Sequence, residues 1–271
     1  MSEYCIIWFW KPIGYNLLEC INYIKENCNM KLLNTIDYRI SFSCRLDPMA
    51  CGILPIVIAN KKYISNITKN LQDSFKVYRF SMIKGVKTDS HDILGMVINS
   101  DKEKILTIDE VSKKEMQSYP VYSSKTVKDP KDGKMRKLFE YAKENRLDEI
   151  LNQIPSHPIE IKYIKEINKE TKTGKELLEY INNSIDQLRG GDFRIEEIRD
   201  NWRRCLQPVR NYEILSFEAK VSSGTYIRGL VDDMGGTAFN ICRVEICDKY
   251  SSKEIIRESL EIMKIDFKLL E

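Results

Sequence analysis

The stretch "SCRLDPMACGILPIVIA" sets Asp47 against Pro48 at the border between a polar run and a very apolar one. A residue before proline is biased to extended or turn geometry, and Ile53 to Ala59 reads as a buried strand. The carboxylate therefore rides a loop that feeds the core. The plainer alternative is a turn-forming Asp that caps its own backbone. A second chemistry-bearing stretch is "YPVYSSKTVKDPKDGKMRKLFEYAKEN", where Lys125, Lys128, Lys131, Lys134, Arg136 and Lys137 come after Tyr119 and Tyr122. Cations interleaved with aromatics on a Pro- and Gly-broken loop can track phosphates and stack bases, and a solvated loop is the alternative. Metal chemistry is not expected, because His91 and His157 are the 2 histidines and neither stands at ligand spacing from a cysteine pair.

Composition frames these residues. With 271 residues and 42% hydrophobic content, the chain can bury one large core or two small ones. A net charge of +3 means that attraction to nucleic acid must come from local clustering. The 8 cysteines never form a C-x-x-C pair, which fits a reduced intracellular protein. The opening "CIIWFW" is too short and lacks the basic leader of a signal peptide, and no later run approaches a membrane span. A soluble, cytosolic (cytoplasmic) protein without membrane association, a monomer, is expected.

The elements that must position the candidates can be read from periodicity. Residues 5 to 10 read as a buried strand ended by "KPIG", and "NLLECINYIKENC" as a helix. After the Asp47 loop and its strand, "KKYISNITKNLQ" is helical, and "SFKVYRFSMIKG" alternates as a strand with Tyr78, Phe80 and Met82 on one face. "MVINS" is expected to pair with that strand across the turn "KTDSHDILG". Thr107 to Glu110 fits a capping box ahead of a helix. "PIEIKYIKEI" reads as a strand, and residues 170 to 204 as a charged helical region broken in two at Gly190 and Gly191. "NYEILSFEAKVSSG" is a strand, "TYIRGLVDDMGG" a helix capped by Thr225 and ended by Gly235, "CRVEIC" a short strand, and the tail an amphipathic helix. No internal repeat or low-complexity tract is seen. Intermixed strands and helices predict an α+β fold with a central mixed or mostly antiparallel sheet flanked by helices.

Taken in order, "KPIG" (11–14), "RLDPMACGILPI" (45–56), "KVYRFSMIKGVKTDSHDILG" (76–95), "YPVYSSKTV" with "LFEYAKEN", and "SSGTYIRGLVDDMG" (222–235) resemble the TruB family of tRNA pseudouridine synthases, closest to its eukaryotic-type members. The resemblance spans nearly all of the first 250 residues. It implies a pseudouridine synthase fold and a single catalytic domain over 1–271, with an RNA-contacting loop at about 119–137 and a helical insertion at about 166–206.

The resemblance further implies that Asp47 is the essential carboxylate of an isomerisation in which uracil is cut from its ribose and reattached through carbon, with no cofactor and no metal. Such a carboxylate must stay ionised in a water-poor pocket, to attack sugar or base or to remove a sugar proton, and the sequence leaves these open. Burial opposes ionisation, so a fixed cation must offset it, and Arg228 is the candidate because a planar guanidinium can grip a carboxylate at two points. Its alternative is a surface helix arginine. Tyr78 carries the family's active-site aromatic, able to stack on the uracil and to help take the proton from carbon; its alternative is a core tyrosine. Tyr226 and Lys76 are expected as phosphate or pocket contacts. Lys11, Phe42, Arg45, Tyr122, Lys125 and Lys128 complete the expected RNA-contacting set. The implied partner is the T-arm stem-loop of tRNA, whose target uridine must be extruded to reach Asp47.

The chain departs from the family's pattern in three places. Where the family reads close to "GHTGTLDP", this chain reads "SFSCRLDP". Phe42 replaces a histidine associated with recognising or flipping the base, though a ring there can still stack. Arg45 can contact RNA phosphate or compete with Arg228 for the carboxylate. The family's "LRR" run is replaced by "VEICDKYSS", and the residues after it are expected to be too few for the RNA-binding PUA domain of many relatives. The insertion either aids RNA binding or is a surface elaboration. Two rival readings are an RNA-folding chaperone without turnover and a synthase acting on a different RNA.

Overall fold

The computed structural model describes residues 4–27, 37–98, 105–191 and 193–247. In chain order the elements are β1 (Tyr4–Lys11), α1 (Leu17–Asn27), β2 (Tyr38–Phe42), β3 (Cys51–Asn60), α2 (Ile64–Gln72), β4 (Phe75–Lys84), β5 (Lys87–Thr88) and β6 (Val97–Ile98). Next come α3 (Ile108–Ser112), β7 (Met116–Ser118), β8 (Thr126–Lys128), β9 (Met135–Lys137), α4 (Leu138–Lys143) and β10 (Ser156–Pro158). The remainder comprises β11 (Ile161–Thr173), α5 (Gly174–Asp186), α6 (Ile195–Cys205), β12 (Asn211–Val221), α7 (Ile227–Asp233) and β13 (Gly236–Cys247).

Among the described residues, seven strands form the central sheet, in the order β1-β3-β13-β4-β12-β11 with β2 also on β3. All its pairings are antiparallel except that of β13 with β3. The chain is thus α+β with a mixed, mostly antiparallel sheet, as its pattern predicts. No helix among the described residues is long and apolar enough to cross a membrane.

The apolar run of β3 is buried on both faces, as its continuous hydrophobicity implies. A proline in a central strand needs explaining, since it removes a ladder donor. β1 takes one edge of β3, while β13 takes Cys51 and Gly52 on the other edge and β2 takes Ile56 to Asn60. Between them the second edge is unpaired. The Ile53 carbonyl is met there by a side chain, the Arg243 guanidinium at 2.7 Å. Residues two apart face the same edge, so the missing donor of Pro55 falls in this gap and costs no ladder bond.

Tyr78, Phe80 and Met82 share one face of β4 and belong to the main core cluster, together with Ile181 and Ile185 of α5, Ile198 and Trp202 of α6 and Leu230 and Val231 of α7. Each fully buried side chain of this size contributes about 1.5–3 kcal/mol, so α5 and α6 are built into the core rather than laid on it. The Trp202 indole N–H also donates to the Ile93 carbonyl at 3.2 Å, tying α6 to the loop after β5. The elaboration reading of residues 166–206 is therefore corrected: this segment holds up the sheet.

Several elements match their sequence signals. Thr107 and Glu110 form the reciprocal capping box of α3, and Gly190 and Gly191, at φ of 61° and 85°, separate α5 from α6. Others differ. "MVINS" pairs through β6 with the short β5, not with β4, because β4 already has β12 and β13 on its two edges. Strand β11 runs to Thr173, so the helical region starts at Gly174, where the Thr173 side chain caps α5. The N-cap of α7 is Tyr226 and has no side-chain cap; Thr225 instead lies 3.4 Å from the Ser222 hydroxyl. "CRVEIC" is the end of the longer β13. The expected tail helix lies outside the described residues.

Candidate active site

The loop carrying Asp47 is anchored from below. The Ala50 N–H donates to the Asp47 carbonyl at 3.0 Å, closing the turn that Asp-Pro starts, and the Gly14 N–H donates to the Pro48 carbonyl at 2.8 Å. Gly14 sits at φ 83°, and a Cβ there would lie 1.8 Å from the Gln187 carbonyl, so the turn after β1 wedges between the Asp47 loop and the end of α5. Beneath them the Lys11 ammonium donates to the carbonyls of Pro12 (3.1 Å), Pro48 (3.4 Å) and Ala50 (2.7 Å). Lys11 is 1% exposed, and burial pushes its pKa down to about 8. The expectation that Lys11 meets RNA is corrected: it is sealed under the loop and clamps it.

Arg228 comes from the first turn of α7, whose Ile227, Leu230 and Val231 face the core and carry the arginine inward to 2% exposure. Its Nε donates to Asp47 Oδ2 at 2.8 Å and its Nη2 lies 3.4 Å from Oδ1. Nη1 donates to the Ser90 carbonyl and Nη2 to the Tyr122 carbonyl, each at 2.9 Å. Asp92 Oδ2 stands 3.9 Å from the same Nε. Burial works against the guanidinium charge, and Asp47 and Asp92 outweigh it, so its pKa rises. Asp92, buried, is pushed up to about 6 against the pull of Arg228 and the Ser90 hydroxyl. The Asp47 side chain keeps 31% of its surface exposed, so the carboxylate that the cation holds is the one facing the opening.

That opening is a cleft of about 870 Å³ in which Asp47, Arg228 and Tyr78 meet. Tyr78 is both things the sequence allowed, a core residue 9% exposed and a wall of the cleft. Burial raises its pKa, with the Arg243 cation opposing. Tyr226 lies on another wall, its backbone gripped by the Gln117 amide at 2.8 and 3.0 Å and its ring 5.9 Å from that of Tyr119. Phe42 and Arg45 also line the cleft. Phe42 packs at its edge against the cluster of Phe9, Ile24 and Leu54. Arg45 is exposed and donates to the Ser124 hydroxyl at 3.2 Å across the mouth, rather than to Asp47.

Tyr122 lines the cleft, and besides its carbonyl on Arg228, its hydroxyl donates to Asp89 Oδ2 at 3.2 Å. Arg194, from the linker between α5 and α6, bonds the same Asp89 oxygen at 3.0 Å and lies 4.9 Å over the Tyr122 ring. With Phe193 it brings the insertion into the cleft wall. Lys76 is corrected as a phosphate contact: it borders the cleft, but its ammonium is 2.5 and 2.6 Å from the carbonyls of Gln72 and Ser74, closing the end of α2. Lys125 lies 4.7 Å over the Tyr119 ring and Lys128 is exposed on β8, both outside the cleft lining.

The basic segment is a hairpin of β8 and β9 rather than an open loop. Half of its six cations meet acids: Lys131 pairs with Glu149, Lys134 with Asp132, and Arg136 with Asp129 and Asp132. His157 bonds the Gly224 carbonyl at 3.0 Å, and His91 lies 3.9 Å from Asp232. Among the described residues, no group of three His, Cys, Asp or Glu could hold a metal ion.

Sequence reasoning missed Asp92, Arg194 and Arg243. The last is 1% exposed, lines the cleft and has its Nη1 3.4 Å from the Tyr78 hydroxyl. A signal existed for it: an arginine in the middle of the apolar run "FNICRVEIC" either breaks the strand or is needed inside.

The chain is similar to several known proteins. The model of the TruB family pseudouridylate synthase N-terminal domain matches residues 30–190. The tRNA pseudouridine synthase 4 of Saccharomyces cerevisiae is 25% identical over 259 residues, covering 80% of this chain and 62% of that protein. The tRNA pseudouridine synthase B of Caldicellulosiruptor saccharolyticus is 28% identical over 230 residues, covering 83% of this chain and 58% of that one. The chain thus spans about three fifths of the length of these curated relatives. Among solved structures, the archaeal box H/ACA sRNP Nop10-Cbf5 complex aligns with a TM-score of 0.42 at 14% identity, over 94% of this chain and 53% of that one.

Proposed function

Because this chain belongs to the TruB family of pseudouridylate synthases, we propose that it isomerises uridine to pseudouridine in tRNA, at the T-loop of the T-arm stem-loop. The observation that carries the proposal is the two-point contact of Arg228 with Asp47 at the floor of a cleft walled by Tyr78. The reaction breaks one C–N bond and forms one C–C bond, and a proton leaves C5 while N1 gains one. It is redox-neutral, so positioned charge and proton transfer suffice. Asp47, gripped by the Arg228 guanidinium through two contacts, attacks sugar or base or takes a sugar proton. Tyr78 stacks on the loosened uracil and accepts the C5 proton.

The cleft is of nucleoside scale and its mouth bears Arg45, Tyr119 and Tyr122. A uridine in a folded loop reaches Asp47 only by leaving its stack, at a cost of a few kcal/mol that contacts at this rim must offset. With Lys131, Lys134 and Arg136 already paired with acids, Arg45, Lys125 and Lys128 are the cations we assign to the RNA backbone.

The test is tritium release from a T-arm hairpin labelled at uridine C5. The intact chain should release label and make pseudouridine, and Asp47→Ala should bind the hairpin but release none. Binding without release by the intact chain would favour an RNA-folding chaperone. Release from cellular RNA but not from the hairpin would favour a different target. Undiminished release by Asp47→Ala would refute the site.

A further inference from the structure

The Arg243 guanidinium is buried to 1% exposure, yet among the described residues it makes no ion pair with a carboxylate. Its Nε donates to the Ile53 carbonyl at 2.7 Å, and its Nη1 lies 3.2 Å from the Arg45 carbonyl and 3.4 Å from the Tyr78 hydroxyl. Nη2 is buried without an oxygen or nitrogen partner. A buried cation whose neighbours are neutral carbonyls, a thiol and a phenol is destabilising unless charge develops beside it. Two of these neighbours can become anions, the Tyr78 phenol and the Cys44 thiol. The sheet aims the cation at the phenol, since Arg243 of β13 is the register partner of Tyr78 on β4, and its guanidinium carbon lies 6.0 Å from that ring.

We propose that Arg243 is a positioning residue that stabilises the phenolate of Tyr78 as it takes the proton from uracil C5. The inference rests on the functional reading above and assigns the cation that its last step lacks. Burial disfavours an ionised phenol, and Asp47 and Cys44, the other titratable groups acting on it, disfavour it further; Arg243 is the one neighbour that favours it. The phenol first gives its proton to water in the cleft. The C5–H bond then breaks, the proton passes to the phenolate oxygen, and the electron pair stays in the ring to restore the C5–C6 double bond. Asp47 and Arg228 act at the bond to ribose, so two separate cations serve two separate steps.

The test uses single-turnover rates on T-arm hairpins carrying uridine or 5-deuterouridine at the target position, with hairpin affinity measured alongside. Arg243→Met should turn over about 10²-fold more slowly, within the usual range for proton-transfer assistance, at unchanged affinity. It should also react more slowly with the deuterated than with the protiated hairpin, by a larger ratio than the intact chain shows. Arg243→Lys, which keeps the charge and is the better-tolerated change, should lie between the two. A ratio unchanged from the intact chain in both variants would overturn the proposal and leave Arg243 as a strand clamp. No product from the intact chain would instead overturn the functional reading itself.

Discussion

Lys11→Met separates what stabilises the Asp47 loop from what stabilises the fold. The ammonium lies buried with its pKa pushed from 10.5 to about 8. Keeping it charged in the native chain near neutral pH costs roughly 3 kcal/mol relative to the unfolded chain. Methionine fills a similar volume and removes that cost, but strips donors from the carbonyls of Pro12, Pro48 and Ala50, worth about 1 kcal/mol each. The two effects nearly cancel, so the urea midpoint at pH 7 should move little. The loop, however, loses its clamp, and about 1 Å of slack at a reacting group costs about 10²-fold in rate. A second signature is pH. From about 8 to 10.5 the unfolded chain holds a lysine proton that the native chain has lost, so this residue's contribution to stability improves as pH rises through that window. The stability of the intact chain minus that of the variant should therefore climb across it, by at most about 1.4 kcal/mol per pH unit. Full turnover in Lys11→Met, or a flat difference between about pH 8 and 10, would refute the reasoning.

Three further outcomes are expected. Arg228→Lys keeps a charge but loses the fork that spans Asp47 and the Ser90 and Tyr122 carbonyls; tritium release should fall by at least about 10²-fold with hairpin affinity within a few-fold. Asp92 titrates at about 6 in the native chain against 3.8 for the ordinary carboxyl, so the native chain holds the extra proton between these values and Asp92 weighs against stability as pH rises through them. Asp92→Asn should then be more stable than the intact chain at pH 7, by up to roughly 3 kcal/mol in chemical denaturation, with the advantage gone near pH 4, while turnover drops because Arg228 loses its second carboxylate. Gly52→Ala places a Cβ 2.3 Å from the Arg243 carbonyl at a φ of 114°; calorimetry should register a loss of about 2 kcal/mol or more, and turnover should fall with it.

Local signals were enough for β3, for the Thr107 capping box and for the glycine break between α5 and α6, because each is decided by residues within a few positions of one another. The meeting of Asp47 with Arg228, 181 residues apart, came from family resemblance, since no periodicity encodes a contact at that range. Lys11 reads as an RNA contact and Lys76 as a phosphate or pocket contact, and only tertiary packing turns their ammonium groups onto backbone carbonyls. The pairing within the basic hairpin is hidden for a different reason. Its acids, Asp129 and Asp132, stand among the lysines, but which cations they neutralise depends on a turn geometry that composition does not carry.

β13 lies at the middle of the sheet although it is the last strand of the described chain, and it closes the gap between β3 and β4. A nascent polypeptide halted before residue 236 would hold two unjoined half-sheets with exposed hydrogen-bonding edges, one bearing Asp47 and the other Tyr78. Such edges are sticky, and contacts this remote along the chain form slowly. The cleft should thus assemble in a single late event, when the closing strand docks between β3 and β4, and truncated chains should aggregate rather than fold.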